Sequence, residues 1–398
     1  MLLNKIYNNS LINKVILVYI FILPLSRAAI NILGLLILLL WLFDDNLKGK
    51  IKLNRTYKVI FILFSFMVIS YIWSDNYKYA NFYTLKFLHY FLISFILYTL
   101  LNKELVPKAI NSFIGGIFIS ELISYSIFLG IYHKHNILAS DPTPFMHHIE
   151  YSFYLVVAAI FLIDKFFTIK EWNKEKIFSI IFFITISFNL FIINGRTGQF
   201  VYIIILFLTI ITYFKINIKN IILSILISSI GFIFLYNISP NFHNKVNKTT
   251  HILNKKIDPC SPDGNRVYMI KIGKDIFIHN PIIGVGVGDT MDEFKKYVYT
   301  KYPESKCSLQ YNHLHNQYIQ ESVQLGIIGF FLLLFIFYNL FKEAKDKRFA
   351  FLIITAILLS FMGDVLLSRQ FSIALISFLV ALVLKKGTND KYSYNSFK

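Results

Sequence analysis

The feature that most constrains this chain is its succession of apolar blocks. They are roughly 15–24 residues long and are separated by short polar connectors. About 20 apolar residues wound as a helix match the hydrocarbon thickness of a bilayer. The blocks are too long for barrel strands and do not alternate. In lipid every backbone polar group needs a partner within the chain, so helices are the remaining choice. A mean hydropathy of +0.58, with 56% of the residues hydrophobic, agrees with this reading.

The sequence therefore predicts an all-α polytopic membrane bundle of about twelve transmembrane helices. The expected spans are 11–25, 28–43, 59–73, 85–101, 109–132, 151–163, 177–193, 200–214, 221–238, 323–341, 349–367 and 371–384. The first follows Lys5 and Lys14, as a signal peptide does, but no small-residue cleavage site comes after it. It reads as a retained helix.

A formal charge of +18 raises nucleic acid as a partner, and the placement of the charge argues against it. One set of alternate connectors, with the tails, carries 23 Lys and Arg, and the opposite short connectors carry 6. This is the positive-inside asymmetry of an inner-membrane protein. The other 11 of the 40 lie in one long loop, 239–315, of the length that escapes the rule. Both termini are expected in the cytoplasm and the long loop in the periplasm. The chain then divides into transmembrane helices one to nine (1–238), the large periplasmic loop with short helices (239–315), and helices ten to twelve with a cytoplasmic tail (316–398). Pro240, Pro259, Pro262 and Pro281 punctuate the loop. Its stretch 266–277 reads as an amphipathic helix lying on the membrane, with Val267, Ile270 and Phe277 on the apolar side.

Nine of the ten histidines fall on the external side, and only His89 lies within a span. Histidine titrates near neutrality and suits proton transfer, although polar residues of any kind collect in loops. His147, His148 and Glu150 invite a metal, but adjacent histidines point apart and the spacing is not that of zinc motifs, so no metal is expected. Asp44 and Asp45 lie on the cytoplasmic side, away from the external histidines and the long loop. Cys260 and Cys307 both lie in the external loop, which favours a disulfide over two separate thiols.

Arg196 stands in Asn194-Gly195-Arg196-Thr197-Gly198, between two apolar spans. An arginine there faces a polar cavity or an anion, or it snorkels from a helix end. The Gly-rich run 280–289 lacks the spacing of a dinucleotide fingerprint and the lysine of a P-loop. His315 and Asn316 are followed, after nine residues, by Gly326-Ile327-Ile328-Gly329. Gly326 is then about three turns, roughly 16 Å, down nearly the same helix face. Gly326 and Gly329 are spaced for a close helix–helix contact.

On these residues the chain resembles the O-antigen ligases, a family that shares a superfamily with O-antigen polymerases and some protein O-oligosaccharyltransferases. The family pattern is His, then Asn, Ser or Gln, then nine residues, then Gly-x-x-Gly, Thr or Tyr; His315, Asn316, Gly326 and Gly329 match it. Arg196-Thr197-Gly198 matches an Arg-[Ser/Thr]-Gly between two central spans. Arg266 matches an Arg-x-x-x-Leu, with Ile270 in place of Leu, and Pro281, Gly284 and Gly286 match the Pro-x-x-Gly-x-Gly that follows. The resemblance covers residues 195–329.

It implies a metal-independent glycosyltransferase without a cofactor. The donor is an undecaprenyl-diphosphate-linked glycan, the acceptor is lipid A–core, and the active site is on the periplasmic face of the inner membrane. Arg196 and Arg266 would grip the diphosphate, His315 would serve the acceptor hydroxyl, and Asn316 would assist in substrate binding. A polymerase, a protein O-oligosaccharyltransferase and a non-catalytic transporter are the alternatives. A transporter should carry inverted repeats or interrupted helices in matching halves, and the sequence displays neither.

Overall fold

The computed structural model describes residues 2–43, 53–135, 137–213 and 258–387, with scattered positions between 218 and 243. Among the described residues there are helices and no strands. The helices are α1 (Leu2–Ile22), α2 (Arg27–Leu42), α3 (Arg55–Ile69), α4 (Tyr77–Leu100), α5 (Leu105–Phe128), α6 (His148–Thr168), α7 (Lys174–Ile192), α8 (Arg196–Tyr213), α9 (Pro262–His279), α10 (Thr290–Thr300), α11 (Gln317–Glu343), α12 (Lys347–Phe361) and α13 (Gln370–Lys385). Eleven of the expected spans correspond to helices. The span 221–238 lies largely outside the described residues. Seven helical segments are long and apolar enough to cross a membrane: α3 with its 3-10 extension to Trp73, α4 to α8, and α11.

The starts of the helices are written locally. Ser26, Asn54, Asn76, Asn173 and Asp346 each accept the backbone N–H three residues on, capping α2, α3, α4, α7 and α12. Packing follows from which helices are apolar all round. In α6 every residue from Ile149 to Asp164 is buried, and in α13 every residue from Phe371 to Leu384. The two are joined where the Tyr154 hydroxyl donates to the Phe371 carbonyl at 2.8 Å. These helices form the axis of the bundle, and the others present only one face to it.

A second, smaller core lies outside the bundle, where α9 and α10 rest on the first turns of α11. Met269, Ile272, Ile276, Phe294, Val298 and Val323 are buried there. The buried face of α9 is Met269, Ile272, Gly273 and Ile276, whereas Val267 and Ile270 point outward. Two of the three apolar residues expected on the membrane side are thus exposed, whereas Phe277 packs against this second core. The helix turns its other apolar stripe to partners that α10 and α11 supply. Cys260 and Cys307 are bonded to each other across this unit, with Cα atoms 5.5 Å apart.

Two expectations are corrected. Residues 349–367 do not form one span: α12 ends at Phe361, and 362–369 is a turn containing the buried Asp364. Nor does the stretch from His315 to Gly326 continue as one helix face. α11 is broken at Gly326, which has φ +64° and ψ −160°. A Cβ at Gly326 would lie 2.2 Å from the Ile282 carbonyl oxygen, so glycine is required both for the backbone angle and for the approach. The break frees backbone groups of α11, and the loop 281–286 takes them up. Val285 and Gly286 donate to the Val323 and Gln324 carbonyls, each at 2.9 Å, and Ile327 donates to the Pro281 carbonyl at 2.8 Å. Gly326 therefore contacts a loop, and a Cβ at Gly329 would meet Leu325 of its own chain segment rather than a neighbouring helix. The reason is electrostatic: in a low-dielectric setting the freed groups need partners, and the loop backbone supplies them.

Candidate functional site

Three glycine-bearing or broken segments meet at one end of the bundle. The first is the start of α8. A Cβ at Gly198 would lie 2.3 Å from Ser152 Cβ, so its absence lets α8 close on the start of α6. The backbone N–H of Asn194 donates to Asp141 Oδ1 at 2.7 Å, and the other Asp141 oxygen lies 2.9 Å from His148 Nδ1. Arg196, the first residue of α8, is thereby held at the mouth of the bundle.

The second segment is the turn between α12 and α13. Asp364 is 0% exposed, and its carboxylate organises the site. His313 Nε2 lies 2.9 Å from Oδ1, and His315 Nδ1 lies 3.2 Å from the same oxygen. The Arg369 guanidinium closes on Oδ2. Burial alone would raise the Asp364 carboxyl, but His313, His315 and Arg369 together hold it well below the usual carboxylate range. Asp364 is therefore an anion at neutral pH.

The third segment is the approach to α11. His315 has φ +51°, an uncommon angle for a residue with a side chain, and its ring packs edge-on against Tyr311 at 4.8 Å. Burial pushes the His315 imidazole down from its ordinary value; Asp364 opposes this, while His313 and Arg266 add to it. The neutral form is thus favoured near pH 7. With Nδ1 turned to an anionic carboxylate, Nδ1 carries the proton and Nε2 presents its lone pair.

Arg196 and Arg266 come together through Asp263. Arg196 Nη1 donates to Asp263 Oδ2 at 3.0 Å, and Nη2 donates to Oδ1, in a two-pronged pair. Asp263 precedes Arg266 by one turn of α9. The Arg266 guanidinium makes no hydrogen bond or ion pair with any described residue and is half-buried. Burial and the neighbouring Arg196 push it below its ordinary value. It remains a cation, because an arginine in a protein does not lose its proton. His147 also faces the cluster: burial, together with His148 and Arg369, pushes it down to about 4, so it is neutral. Asp263 and Asp364 are engaged by Arg196 and Arg369, and Asp141 lies against His148, so the Arg266 guanidinium is the cation placed to meet an anion.

The sequence-derived residues divide as follows. Arg196, Arg266 and His315 are brought together. Asn316 spends its amide on the fold, accepting from Ile319 N–H at 3.1 Å as the cap of α11 and donating to the Met362 carbonyl at 3.1 Å. Gly326 and Gly329 shape the break beneath the site. Glu150 pairs with Arg27 at 3.5 Å, apart from the two adjacent histidines. Sequence reasoning counted His313 among the external histidines and missed Asp364, Arg369 and Asp263. Asp364 did leave a signal, since a carboxylate inside an apparent apolar span is costly and marks a polar site. The ligand atoms of His313, His315 and Asp364 lie within 4.8 Å of one another, close enough for a metal ion, but the second Asp364 oxygen is already held by Arg369.

Residues 181–334 match the family model described as O-antigen ligase. Over 154 residues the chain is 28% identical to the O-antigen ligase of Escherichia coli (strain K12). That match takes in 37% of this chain, and the chain spans only 36% of the length of that relative. The segment matched by the family model holds Arg196, Arg266 and His315.

Proposed function

We propose that the protein transfers a glycan from undecaprenyl diphosphate to a sugar hydroxyl of lipid A–core, on the periplasmic face of the bacterial inner membrane. The observation that carries this reading is Arg266, a half-buried cation that makes no ion pair with any described residue, set beside Arg196 and next to a neutral His315. Such a site attracts an anion with apolar anchorage, and a lipid diphosphate is one.

In the reaction the acceptor oxygen attacks the anomeric carbon of the donor sugar. The bond from that carbon to the diphosphate oxygen breaks, and the electron pair leaves with the lipid diphosphate. Arg266 and Arg196 hold the phosphate oxygens as negative charge develops on them, which is where fixed cations act most strongly. The proton of the acceptor hydroxyl passes to His315 Nε2. Asp364 fixes the ring and stabilises the imidazolium that forms, with Arg369 and His313 fixing Asp364 in turn. The guanidinium groups supply the charge that a metal would otherwise bring, so the reading needs neither metal nor cofactor, and a chelator should leave the rate unchanged.

Deletion of the gene tests the assignment. Loss of a ligase leaves bare lipid A–core while lipid-linked glycan accumulates. Core carrying a single repeat would assign the chain to the polymerases. Intact lipopolysaccharide with loss of a glycosylated protein would point to a protein O-oligosaccharyltransferase.

A further inference from the structure

The bundle holds a second polar cavity at its opposite end. α6 begins at His148, beside the site, and its 21 residues span roughly 30 Å. That is about the thickness of the hydrocarbon core. At its far end lies a cavity of about 490 Å³ between the starts of α5 and α7, the ends of α6 and α13, and the connection from α11 to α12. Five lysines line it: Lys103, Lys165, Lys345, Lys385 and Lys386.

Two of the five are already neutralised. Lys165 pairs with Glu175 at 2.6 Å. Lys386, almost fully buried, lies between Asp164 at 3.1 Å and Asp346 at 2.6 Å. The other three make no ion pair with any described residue. Lys385 rests over the Tyr98 ring at 4.4 Å. Against the five lysines stand three carboxylates, Asp164, Glu175 and Asp346, which leaves a surplus of positive charge carried by Lys103, Lys345 and Lys385. Its remaining wall includes Val106, Ile110 and Ile169, which are apolar. Surplus positive charge against an apolar wall, at the depth of a membrane interface, suits an amphiphile with an anionic head.

We infer that this cavity binds the phosphodiester headgroup of an anionic phospholipid, with Lys103, Lys345 and Lys385 as its cationic contacts and the apolar wall against the start of the acyl chains. Binding bridges the start of α5, the connection from α11 to α12 and the end of α13, so it stabilises the folded bundle. Free phosphate shares the charge chemistry but not the apolar contact.

The test uses the full chain in a neutral detergent, with thermal unfolding measured after addition of phosphatidylglycerol, phosphatidylethanolamine or sodium phosphate. Phosphatidylglycerol should raise the midpoint, and the other two should leave it unchanged. A variant with all three lysines changed to glutamine should bind phosphatidylglycerol about tenfold more weakly or worse, as expected for the loss of three interfacial charges. The matching triple arginine variant should retain binding, which separates lost charge from a damaged fold. Equal stabilisation by phosphatidylethanolamine, or by sodium phosphate at equal concentration, would overturn the inference. So would full stabilisation of the glutamine variant.

Discussion

Arg196 and Asp263, 67 residues apart in sequence, are joined by two hydrogen bonds, and this pair draws the first turn of α9 onto the start of α8. Arg266 is carried with it. The external unit is thus fastened to the bundle by a residue next to those assigned to the diphosphate.

Neither arginine should be replaceable by lysine. A lysine keeps the charge but cannot span a carboxylate and a phosphate with one planar fork. Arg196→Lys and Arg266→Lys are each expected to lower the ligation rate about 100-fold, the size of effect seen when one stabilising donor is removed. The double alanine variant should be little worse than the poorer single one, because residues that grip one group act as a unit. Losses that multiply in an assay with purified components would show that the two arginines act on different groups.

The acid limb of the reaction should report His315. Its imidazole is pushed below its ordinary value by burial, and the neutral form is the one that accepts a proton. Activity is therefore full above the folded pKa and is lost as pH falls through it. The limb should lie below about pH 6.5, the unperturbed value. Asp364→Asn removes the carboxylate that favours the cation, so the limb should move to lower pH while the plateau falls about 100-fold or more from lost orientation. A limb that moved to higher pH would remove Asp364 from contact with the titrating group.

Gly326→Ala places a methyl group 2.2 Å from the Ile282 carbonyl oxygen, at a φ of +64°. The cost should be about 2–3 kcal/mol or more. The loop 281–286 would be pushed off α11 and the carbonyls of Val323 and Gln324 uncovered. Thermal unfolding in detergent measures this directly. A midpoint equal to that of the wild type would mean that the break in α11 is not needed.

The disulfide closes a loop with a sequence separation of 47. Chain entropy values such a loop at about 4 kcal/mol. The bond braces the unit that carries Arg266 and makes no contact with His315 or Asp364. The paired Cys260→Ser and Cys307→Ser variant should therefore unfold its external unit more readily, seen as faster proteolysis of 258–310, yet retain ligation at low temperature. Unchanged protease resistance would count against the bracing role.

Membrane orientation has its own check. The charge asymmetry predicts that Lys345 is cytoplasmic. Lys345→Cys, in a chain without other cysteines, should resist an impermeant thiol reagent in intact spheroplasts and react once they are opened. Labelling of the intact cells would reverse the orientation.

The sequence by itself determined the helices. Apolar block length and capping residues such as Asn54 and Asp346 act within a few residues of themselves, and such local signals survive without a fold. Arg196, Arg266 and His315 were legible for a different reason: each stands in a short motif of the family that the chain resembles. Nothing in the sequence set Asp364 beside His315, or chose Asp263 among the loop acids as the partner of Arg196. Those contacts join segments 49 to 67 residues apart, and only packing decides which distant segments meet. The break at Gly326 hid itself in the same way. Its 3.6-residue pattern reads as an unbroken helix, and the hydrogen bonds that make a break affordable come from a loop 40 residues earlier. Only the tertiary structure decided that exchange, because a backbone group left unpaired in an apolar setting is satisfied by whatever the fold brings within reach.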